Sequence, residues 1–248
     1  MSKVIREHLG NIALLRMNSG VTNAIGTDLV NDLCAALHEI RKESAGMVLA
    51  GGEKFFSMGL NLPELLMMNR KEMTDFWYKF DQLVMDLFTF SLPSVCAIRG
   101  HAVAGGCVFA LTSDYRFATS DKKQIGLNEI RLGVPVPYSV DMILRQIVGD
   151  RAATEMMYTG NFMTLSDAKN IGLVDEICPP ESVEDRAVEK AALLASSSRA
   201  AFSEMKASRV EEIRIRYEKN AKAKNEIFLD CWFDKAVQEV LKEASRKF

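Results

Sequence analysis

The sequence of 248 residues lacks the features that mark membrane-spanning and secreted proteins. None of its apolar runs approaches the roughly 18 residues that a membrane-spanning helix requires. The first segment, MSKVIREHLGN, is charged and has no apolar stretch of the kind found in secretion signals. We therefore expect a cytoplasmic protein, or one in the lumen of an organelle, with no membrane partner.

The cysteines show no paired spacing and histidine is scarce, which argues against a disulfide framework and against a metal centre. The five cysteines are odd in number, show no Cys-x-x-Cys spacing and lie mostly among apolar residues. Reduced, buried thiols are therefore expected. The three histidines, His8, His38 and His101, lie in separate predicted elements. Because they form no cluster, we predict no metal site.

The charge is nearly balanced, and the common phosphate-binding signatures are missing. The formal net charge is −2, so no overall positive field attracts nucleic acid or an anionic membrane. Neither Gly-x-x-x-x-Gly-Lys-Ser/Thr nor Gly-x-Gly-x-x-Gly occurs, which removes the main support for nucleoside triphosphate or dinucleotide binding. With 48% hydrophobic and 26% charged residues, the composition is that of an ordinary globular domain.

The hydrophobic pattern predicts short strands that alternate with helices. A Gly-Asn turn at residues 10–11 between alternating apolar residues predicts a β-hairpin. Apolar residues at helical spacing from Leu29 to Ile40 predict a helix capped by Thr27 or Asp28. Further strands are predicted at GMVLAGG, SVCAI, DYRFAT and LVDEI, and further helices over about residues 71–90, at SVDMILRQIVG, and from about residues 150, 164 and 183 onward. This alternation predicts an α/β fold with parallel strands.

A pair of glycines precedes one of the predicted helices. The stretch HAVAGGCVFAL (residues 101–111) follows the strand SVCAI and contains no Ser, Lys, Asp or Glu. N–H groups in the first turn of a helix lack intrahelical acceptors, and glycine lets a ligand approach them, so a phosphate or an oxyanion would fit here. Close packing of the helix against a strand explains Gly105 and Gly106 equally well. The residues by themselves leave both alternatives open.

A second glycine-containing loop follows the strand MVLAGG. The stretch GGEKFFSMGLNLPELL (residues 51–66) runs through Gly59 into another apolar segment that can form a helix. Loops at the carboxyl ends of parallel strands meet at one edge of the sheet, so the two loops could each direct one N–H group to a single oxygen. The pattern is compatible with an oxyanion hole.

Four motifs extend this interpretation: KFFSMGLNLPEL, GHAVAGGCVFALTSDYRFA, IGLNEIRLGVP and GDRAATEMMYTGNFMTLSDAKNIGLVDEICPPE. Together, and in this order, they resemble the crotonase (enoyl-CoA hydratase/isomerase) superfamily. The resemblance implies an α/β fold with a crotonase-type spiral of ββα units over residues 1–190 and a C-terminal helical trimerisation region over residues 191–248. It also implies an acyl-CoA substrate, no cofactor besides the coenzyme A of that substrate, and assembly as a homotrimer or a dimer of trimers.

The resemblance also assigns a candidate site. The family stabilises a thioester enolate with two backbone N–H groups, which correspond here to those of Leu60 and Gly105. The neighbouring positions implied to contact the substrate are Met58, Gly59, Asn61, Ala104, Gly106 and Val108. The family often has Ala-Gly-Ala-Asp where this chain has Met-Gly-Leu-Asn. That difference alters the shape of the pocket more than it alters the backbone donors.

The catalytic carboxylates distinguish the reactions of the family. Hydratases carry two glutamates; the first of the two positions is Val108 here, which cannot transfer a proton, and the second is Glu129. One base suffices to move a proton from C2 to C4, and IGLNE is similar to the Δ3,Δ2-enoyl-CoA isomerase branch, so an isomerase with Glu129 as its single acid/base is predicted. The alternatives are an enoyl-CoA hydratase or thioester hydrolase, and a catalytically idle relative that binds CoA or RNA. A purely structural Glu129 would be a solvated carboxylate at the end of a strand.

Other polar residues receive structural interpretations. His101 is expected to be a packed loop histidine rather than a base, and Glu64 to be a carboxylate in the first turn of a helix. A dehalogenase of the family would need a carboxylate in residues 130–138, which contain none; the nearest is Asp141.

The C-terminal segment mixes acidic and basic residues, which is typical of a solvated helix face rather than of an RNA-binding surface. An aromatic stripe within it is expected in the core or in a subunit interface, and consists of Phe228, Trp232 and Phe233. The basic residues that the resemblance suggests for the CoA phosphates are Lys235, Lys242, Arg246 and Lys247.

Overall fold

Short strands and helices alternate along most of the chain. The structure is a computed structural model that describes residues 2–120 and 122–246. The strands are β1 (Val4–Leu9), β2 (Ile12–Met17), β3 (Gly46–Ala50), β4 (Phe55–Ser57), β5 (Ser94–Ile98), β6 (His101–Val103), β7 (Tyr115–Thr119), β8 (Gln124–Gly126), β9 (Met163–Thr164) and β10 (Glu176–Cys178). The helices are α1 (Thr27–Glu43), α2 (Leu62–Leu65), α3 (Arg70–Phe88), α4 (Gly105–Leu111), α5 (Glu129–Leu132), α6 (Tyr138–Thr159), α7 (Leu165–Asn170), α8 (Val183–Ala195), α9 (Arg199–Trp232) and α10 (Lys235–Ser245). None of the helices in this described part is both long and apolar enough to cross a membrane.

The strands form two sheets. The larger has the order β1-β2-β3-β5-β7-β10, and the smaller has the order β4-β6-β8-β9. In the larger sheet β1 pairs antiparallel with β2, as the predicted hairpin requires, and every other pair is parallel. The predicted α/β fold with parallel strands is therefore confirmed.

Three successive units build this arrangement. In each unit the first strand joins the larger sheet, the second strand joins the smaller sheet, and a helix follows. The units are β3, β4 and α2; β5, β6 and α4; and β7, β8 and α5. Repetition of this unit is the predicted spiral of ββα units. The carboxyl ends of β4, β6 and β8 consequently lie side by side, and the loops that follow them converge.

The N-terminus of α1 differs from the predicted cap. Gly26 occupies the cap position, and Thr27 and Asp28 lie inside the first helical turn. A carboxylate oxygen of Glu64 accepts a hydrogen bond from the backbone N–H of Thr27 at 2.9 Å. The prediction of Thr27 or Asp28 as the cap was wrong because a side chain distant in sequence satisfies the first N–H of the helix.

Helix α8 packs against the larger sheet. Its buried residues Val183, Ala187 and Ala191 pack against the apolar face formed by β2, β3, β5 and β7. The predicted division at residue 190 thus falls inside α8, and the division itself stays a prediction. The small side chains on this face let the helix lie close to the strands.

Helix α9 is a continuous helix of 34 residues, fixed to the sheets by a buried lysine. The ammonium group of Lys206 is 2.8 Å from a carboxylate oxygen of Asp114 and also bonds to the carbonyl of Leu92 and the hydroxyl of Ser94. Because the charge is paired and fully hydrogen-bonded, its burial is tolerated. The helix α10 then folds back onto the ββα units, with Leu241 buried.

Candidate active site

One cavity opens where the loops after β4, β6 and β8 meet. Its volume is about 230 Å³. Most of its wall is apolar, contributed by Met58, Leu60, Leu62, Trp77, Phe80, Val103, Ala104, Gly105, Val108, Leu132, Val134, Pro137, Phe162, Phe228, Trp232, Leu241 and Ala244, and the polar members are Asn128 and Glu129. An apolar pocket with a few convergent polar groups is the usual form of a small-molecule site.

A strained residue joins β6 to α4 at this cavity. Ala104 has φ 49° and ψ −123°, a conformation that L-residues rarely adopt. Its N–H donates to the carbonyl of Gly126 at 2.9 Å, and its carbonyl accepts from Val108 at 3.0 Å. Strain of this kind, which costs about 1–3 kcal/mol, persists mainly at functional sites. Its effect is to begin α4 abruptly, so that Gly105 is the first residue of the helix.

The second loop is held in place by backbone pairing. Ile25 donates its N–H to the carbonyl of Gly59 at 2.8 Å and accepts from the N–H of Asn61 at 2.9 Å. Leu60 is thereby fixed between two anchored residues. Neither Leu60 nor Gly105 donates its N–H to any acceptor within the described residues, and both residues line the cavity. Two free donors at one cavity can act together on one oxygen.

Gly105 and Gly106 allow these two loops to pack closely against each other. A β-carbon on Gly105 would lie 2.8 Å from Cδ1 of Ile25 and 3.2 Å from Cα of Gly59, and one on Gly106 would lie 2.2 Å from the carbonyl oxygen of Ser57. The side-chain positions of both glycines therefore face protein. The sequence left two explanations of these glycines open, close packing and donation of a backbone N–H to a ligand. The two are compatible, because close packing brings the backbone of Gly105 to the cavity.

The structure separates the predicted substrate-contacting positions into two groups. Met58, Ala104 and Val108 line the cavity together with the predicted donors. The other three lie behind its wall: a β-carbon on Gly59 would meet Ala104, Gly106 backs onto β4, and the side-chain amide of Asn61 donates to Glu64 at 2.7 Å. The catalytic and binding roles of all these residues stay predictions.

Glu129 is a buried carboxyl group in the cavity wall. It is the first residue of α5, is 8% exposed, and its Oε2 atom has no hydrogen-bond partner among the described residues. Burial raises the pKa of its carboxyl group to about 7, against the lowering effect of nearby backbone N–H groups. A carboxyl group that titrates near neutral pH is suited to both accept and return a proton. The alternative of a solvated carboxylate does not agree with this burial.

Asn128 is a cavity residue that the sequence analysis missed. Its Oδ1 atom is buried without a hydrogen-bond partner in the described part of the chain, and it adjoins Glu129 in the same wall. Unpaired buried polar atoms are rare in proteins and call for an explanation such as ligand binding. The signal available in the sequence was an amide residue directly before the candidate base.

The other polar candidates lie outside the cavity. His101 accepts a hydrogen bond at Nδ1 from the backbone of Gln124 at 3.1 Å, and burial lowers the pKa of its imidazole. Glu64 binds the N-terminus of α1, as described above. Asp141 pairs with Arg145 at 3.1 Å. None of these side chains is part of the cavity wall in the described residues.

The C-terminal helices cover the cavity of the same chain. Phe228 and Trp232 of α9 and Leu241 and Ala244 of α10 contribute to its wall, whereas Phe233 lies beside the core. Two of the basic candidates are paired within α10 or at its end: Lys242 with Glu239, and Arg246 with Glu243. Lys235 is the first residue of α10; Lys247 lies outside the described residues. No group of three or more potential metal-binding side chains occurs in the residues described.

Known proteins resemble this chain in sequence. It is 30% identical over 188 residues to "Enoyl-CoA delta isomerase 1, mitochondrial" of Rattus norvegicus, covering 74% of this chain and 65% of that protein. It is 31% identical over 191 residues to "Enoyl-CoA hydratase, mitochondrial" of Pongo abelii, covering 76% of this chain and 65% of that protein. The matched part thus spans just under two thirds of each of these relatives.

The fold has close counterparts among solved structures. The crystal structure of human mitochondrial delta3-delta2-enoyl-CoA isomerase matches with a TM-score of 0.95 and 25% identity, over 99% of this chain and 97% of that one. The family model for enoyl-CoA hydratase/isomerase matches residues 7–246. These findings confirm the resemblance that the four motifs indicated, and the chain belongs to the enoyl-CoA hydratase/isomerase family, the crotonase family.

Proposed function

We propose that the chain is an acyl-CoA enzyme that shifts a double bond of an enoyl-CoA from position 3 to position 2. The observation that carries the proposal is the cavity wall, in which Glu129 is the one ionisable side chain among the described residues. Val108, which lines the same cavity, is buried and apolar. A single proton-transfer group fits a reaction that both removes and returns one proton.

The proposed reaction has two proton transfers. The ionised carboxylate of Glu129 takes a proton from C2 of the 3-enoyl thioester, and the electron pair spreads into the thioester carbonyl. The N–H groups of Leu60 and Gly105 donate hydrogen bonds to the resulting oxyanion. The protonated Glu129 then returns the proton to C4, which gives the 2-enoyl thioester and regenerates the carboxylate. In well-studied hydrolases, the removal of one oxyanion donor costs about 3–4 kcal/mol.

Addition of water to a 2-enoyl-CoA is the second candidate reaction. The similarity to the hydratase of Pongo abelii favours it, since that protein is 31% identical to the matched part of this chain. Hydration is aided by one group that deprotonates water and a partner that supplies a proton. With Val108 at the partner position, we expect water addition to be slow.

The test is a comparison of two substrates on two proteins. Isomerisation of a 3-enoyl-CoA and hydration of a 2-enoyl-CoA are followed by the absorbance of the conjugated thioester. We expect the wild type to isomerise faster than it hydrates. We expect Glu129→Gln to lower kcat for isomerisation by about 10² to 10⁴ while the affinity for acyl-CoA persists, because the amide cannot act as a base.

Glu64→Gln is the matched control for this substitution. It makes the same chemical change at a carboxylate that binds the N-terminus of α1 instead of facing the cavity. Most of the turnover should remain in this variant. Near-complete turnover in Glu129→Gln, or faster hydration than isomerisation in the wild type, contradicts the proposal.

We also propose that the protein assembles as a homotrimer or a dimer of trimers, in the cytoplasm, with no cofactor besides the coenzyme A of the substrate. Large apolar side chains are exposed on the C-terminal helices, which supports assembly through this region; they include Met205, Ile215, Ile227 and Val240. Light scattering of the purified protein tests the assembly. Full activity after dialysis against a chelator tests the absence of a metal requirement.

A further inference from the structure

A second cavity adjoins the candidate active site. Its volume is about 410 Å³. It shares part of its lining with the first cavity, namely Trp77, Val134, Pro137 and Phe228. The same four residues thus form a wall that has one cavity on each side.

Two stacked aromatic rings belong to this wall. The indole of Trp77, from α3, and the phenyl ring of Phe228, from α9, have centroids 3.4 Å apart and are parallel to within 3°. Both side chains are almost completely buried. The stack contributes apolar surface to both cavities at once, and shortening either ring would remove material between them.

A buried hydrogen-bond network fixes the stack. The indole N–H of Trp77 donates to Oδ1 of Asn225 at 3.1 Å, and the amide group of Asn225 donates to Asp81 at 2.8 Å. Tyr217 and Ser139 also donate to Asp81, each at 2.9 Å. Rotation of the indole would leave buried polar groups unpaired, which is costly. The wall is therefore rigid, and a flexible gate at this place is disfavoured.

The second cavity can accept hydrocarbon near the wall. On this side its lining includes Ile130, Val136 and Met157 in addition to the shared residues. The charged groups Asp141, Arg145 and Lys224 also line it, and the lysine and arginine side chains can extend their charged ends to water. An alkyl chain that passed the wall would therefore find apolar side chains to pack against in the second cavity.

We propose that the Trp77–Phe228 stack limits the length of the acyl chain that the enzyme accepts, and that the second cavity is a closed-off continuation of the acyl-binding space. This inference rests on the proposed binding of acyl-CoA in the first cavity, and it does not depend on which reaction follows. Chains that end at the stack are accommodated in the wild type. Longer chains meet the two rings and must bend or stay outside.

The experiment measures binding of unreactive saturated acyl-CoAs, from butanoyl-CoA to hexadecanoyl-CoA, by titration calorimetry. In the wild type we expect the affinity to rise with chain length and then to stop rising. In Phe228→Ala we expect the rise to continue to longer chains, by about fourfold for each further methylene, equivalent to about 0.8 kcal/mol. Thermal unfolding and retained binding of butanoyl-CoA verify that the variant is folded.

Phe90→Ala is the matched control, because it removes the same phenyl group from the buried core and lines neither cavity. It should keep the chain-length limit of the wild type. Val136→Phe, which fills the second cavity from its own side, should restore that limit in the Phe228→Ala background. If Phe228→Ala gives little folded protein, Val134→Ala trims the same wall more mildly and takes its place.

The possible results distinguish the two proposals. An unchanged limit in Phe228→Ala, or an equal extension in Phe90→Ala, overturns the role of the stack. Absence of acyl-CoA binding in the wild type overturns both this role and the proposed function. A shifted chain-length limit in a protein that does not isomerise 3-enoyl-CoA supports the stack and overturns the isomerase proposal alone.

Discussion

The Cα atom of Gly59 lies 3.2 Å from the position that a β-carbon on Gly105 would occupy. The two loops that carry the candidate N–H donors are thus in direct backbone contact, although Leu60 and Gly105 are 45 positions apart in the chain. The same position on Gly105 lies 2.8 Å from Cδ1 of Ile25. The contact at Gly105 therefore couples the packing of the two loops to the placement of the donors.

Gly105→Ala should therefore lower both stability and turnover. Overpacking of this kind costs about 1–3 kcal/mol. Ile25→Val deletes the Cδ1 atom that the new β-carbon would meet, at a cost of its own of about 0.5–1.5 kcal/mol. We expect the double variant to be more stable than the sum of the single changes predicts. Denaturant unfolding of the four proteins measures this coupling, and strict additivity would show that Ile25 is not the limiting contact.

The pH dependence of turnover should report the carboxyl group of Glu129. Burial raises its pKa to about 7, and the proposed base acts in its ionised form. The value of kcat/KM for isomerisation should therefore rise about tenfold per pH unit below pH 7 and level off above it. A profile that levels off near the unperturbed pKa of the group, 4.5, would disprove a raised pKa in the free enzyme.

The same raised pKa should make ionised Glu129 a destabilising group. Its pKa is about 7 in the folded chain against 4.5 for the unperturbed group, so the folded state favours the proton. The stability that this preference contributes is complete below about pH 4.5 and is lost as the pH rises through 7, a difference of about 3 kcal/mol. Glu129→Gln cannot ionise and keeps its stability across this range.

We expect Glu129→Gln to be more stable than the wild type at about pH 8 and to differ little from it at about pH 4. Unfolding in urea at both pH values measures the difference. Glu64→Gln, which changes a carboxylate that accepts hydrogen bonds in the folded chain, should show no such gain at the higher pH. Equal stability of Glu129→Gln and the wild type at both pH values would mean that burial does not disfavour the ionised carboxylate.

Val108→Glu should increase the hydration of 2-enoyl-CoA. The new carboxyl group would enter the cavity that Glu129 lines, as a second proton-transfer group. We expect a gain of about tenfold, below the 10² to 10⁴ of a well-placed group, because burial holds a carboxyl group partly protonated. Val108→Gln has a similar size and no proton-transfer capacity, and it should give no gain. An equal gain in both variants would attribute the change to pocket shape.

The sequence by itself determined the elements with local periodicity and the chemical inventory of the site. The hairpin of β1 and β2, the strand β5 and the helix α4 are where the hydrophobic pattern and turn residues predict them. These elements depend on neighbours within a few residues, which a linear pattern records. Glu129 and Val108 were singled out differently, by the resemblance of the four motifs to the crotonase superfamily.

The tertiary structure decided what depends on residues far apart in the chain. The strands β4, β6 and β8 have three residues each, too few for a period of two to be recognised, and they form because adjacent strands supply their hydrogen-bond partners. The cap on α1 comes from Glu64, which is 37 residues away from Thr27. The pKa of Glu129 is set by burial beneath loops and helices from several parts of the chain. Burial and long-range contacts are properties of the packed chain. The sequence was therefore sufficient to identify Glu129 as the candidate base, and only the fold determined its burial and its pKa.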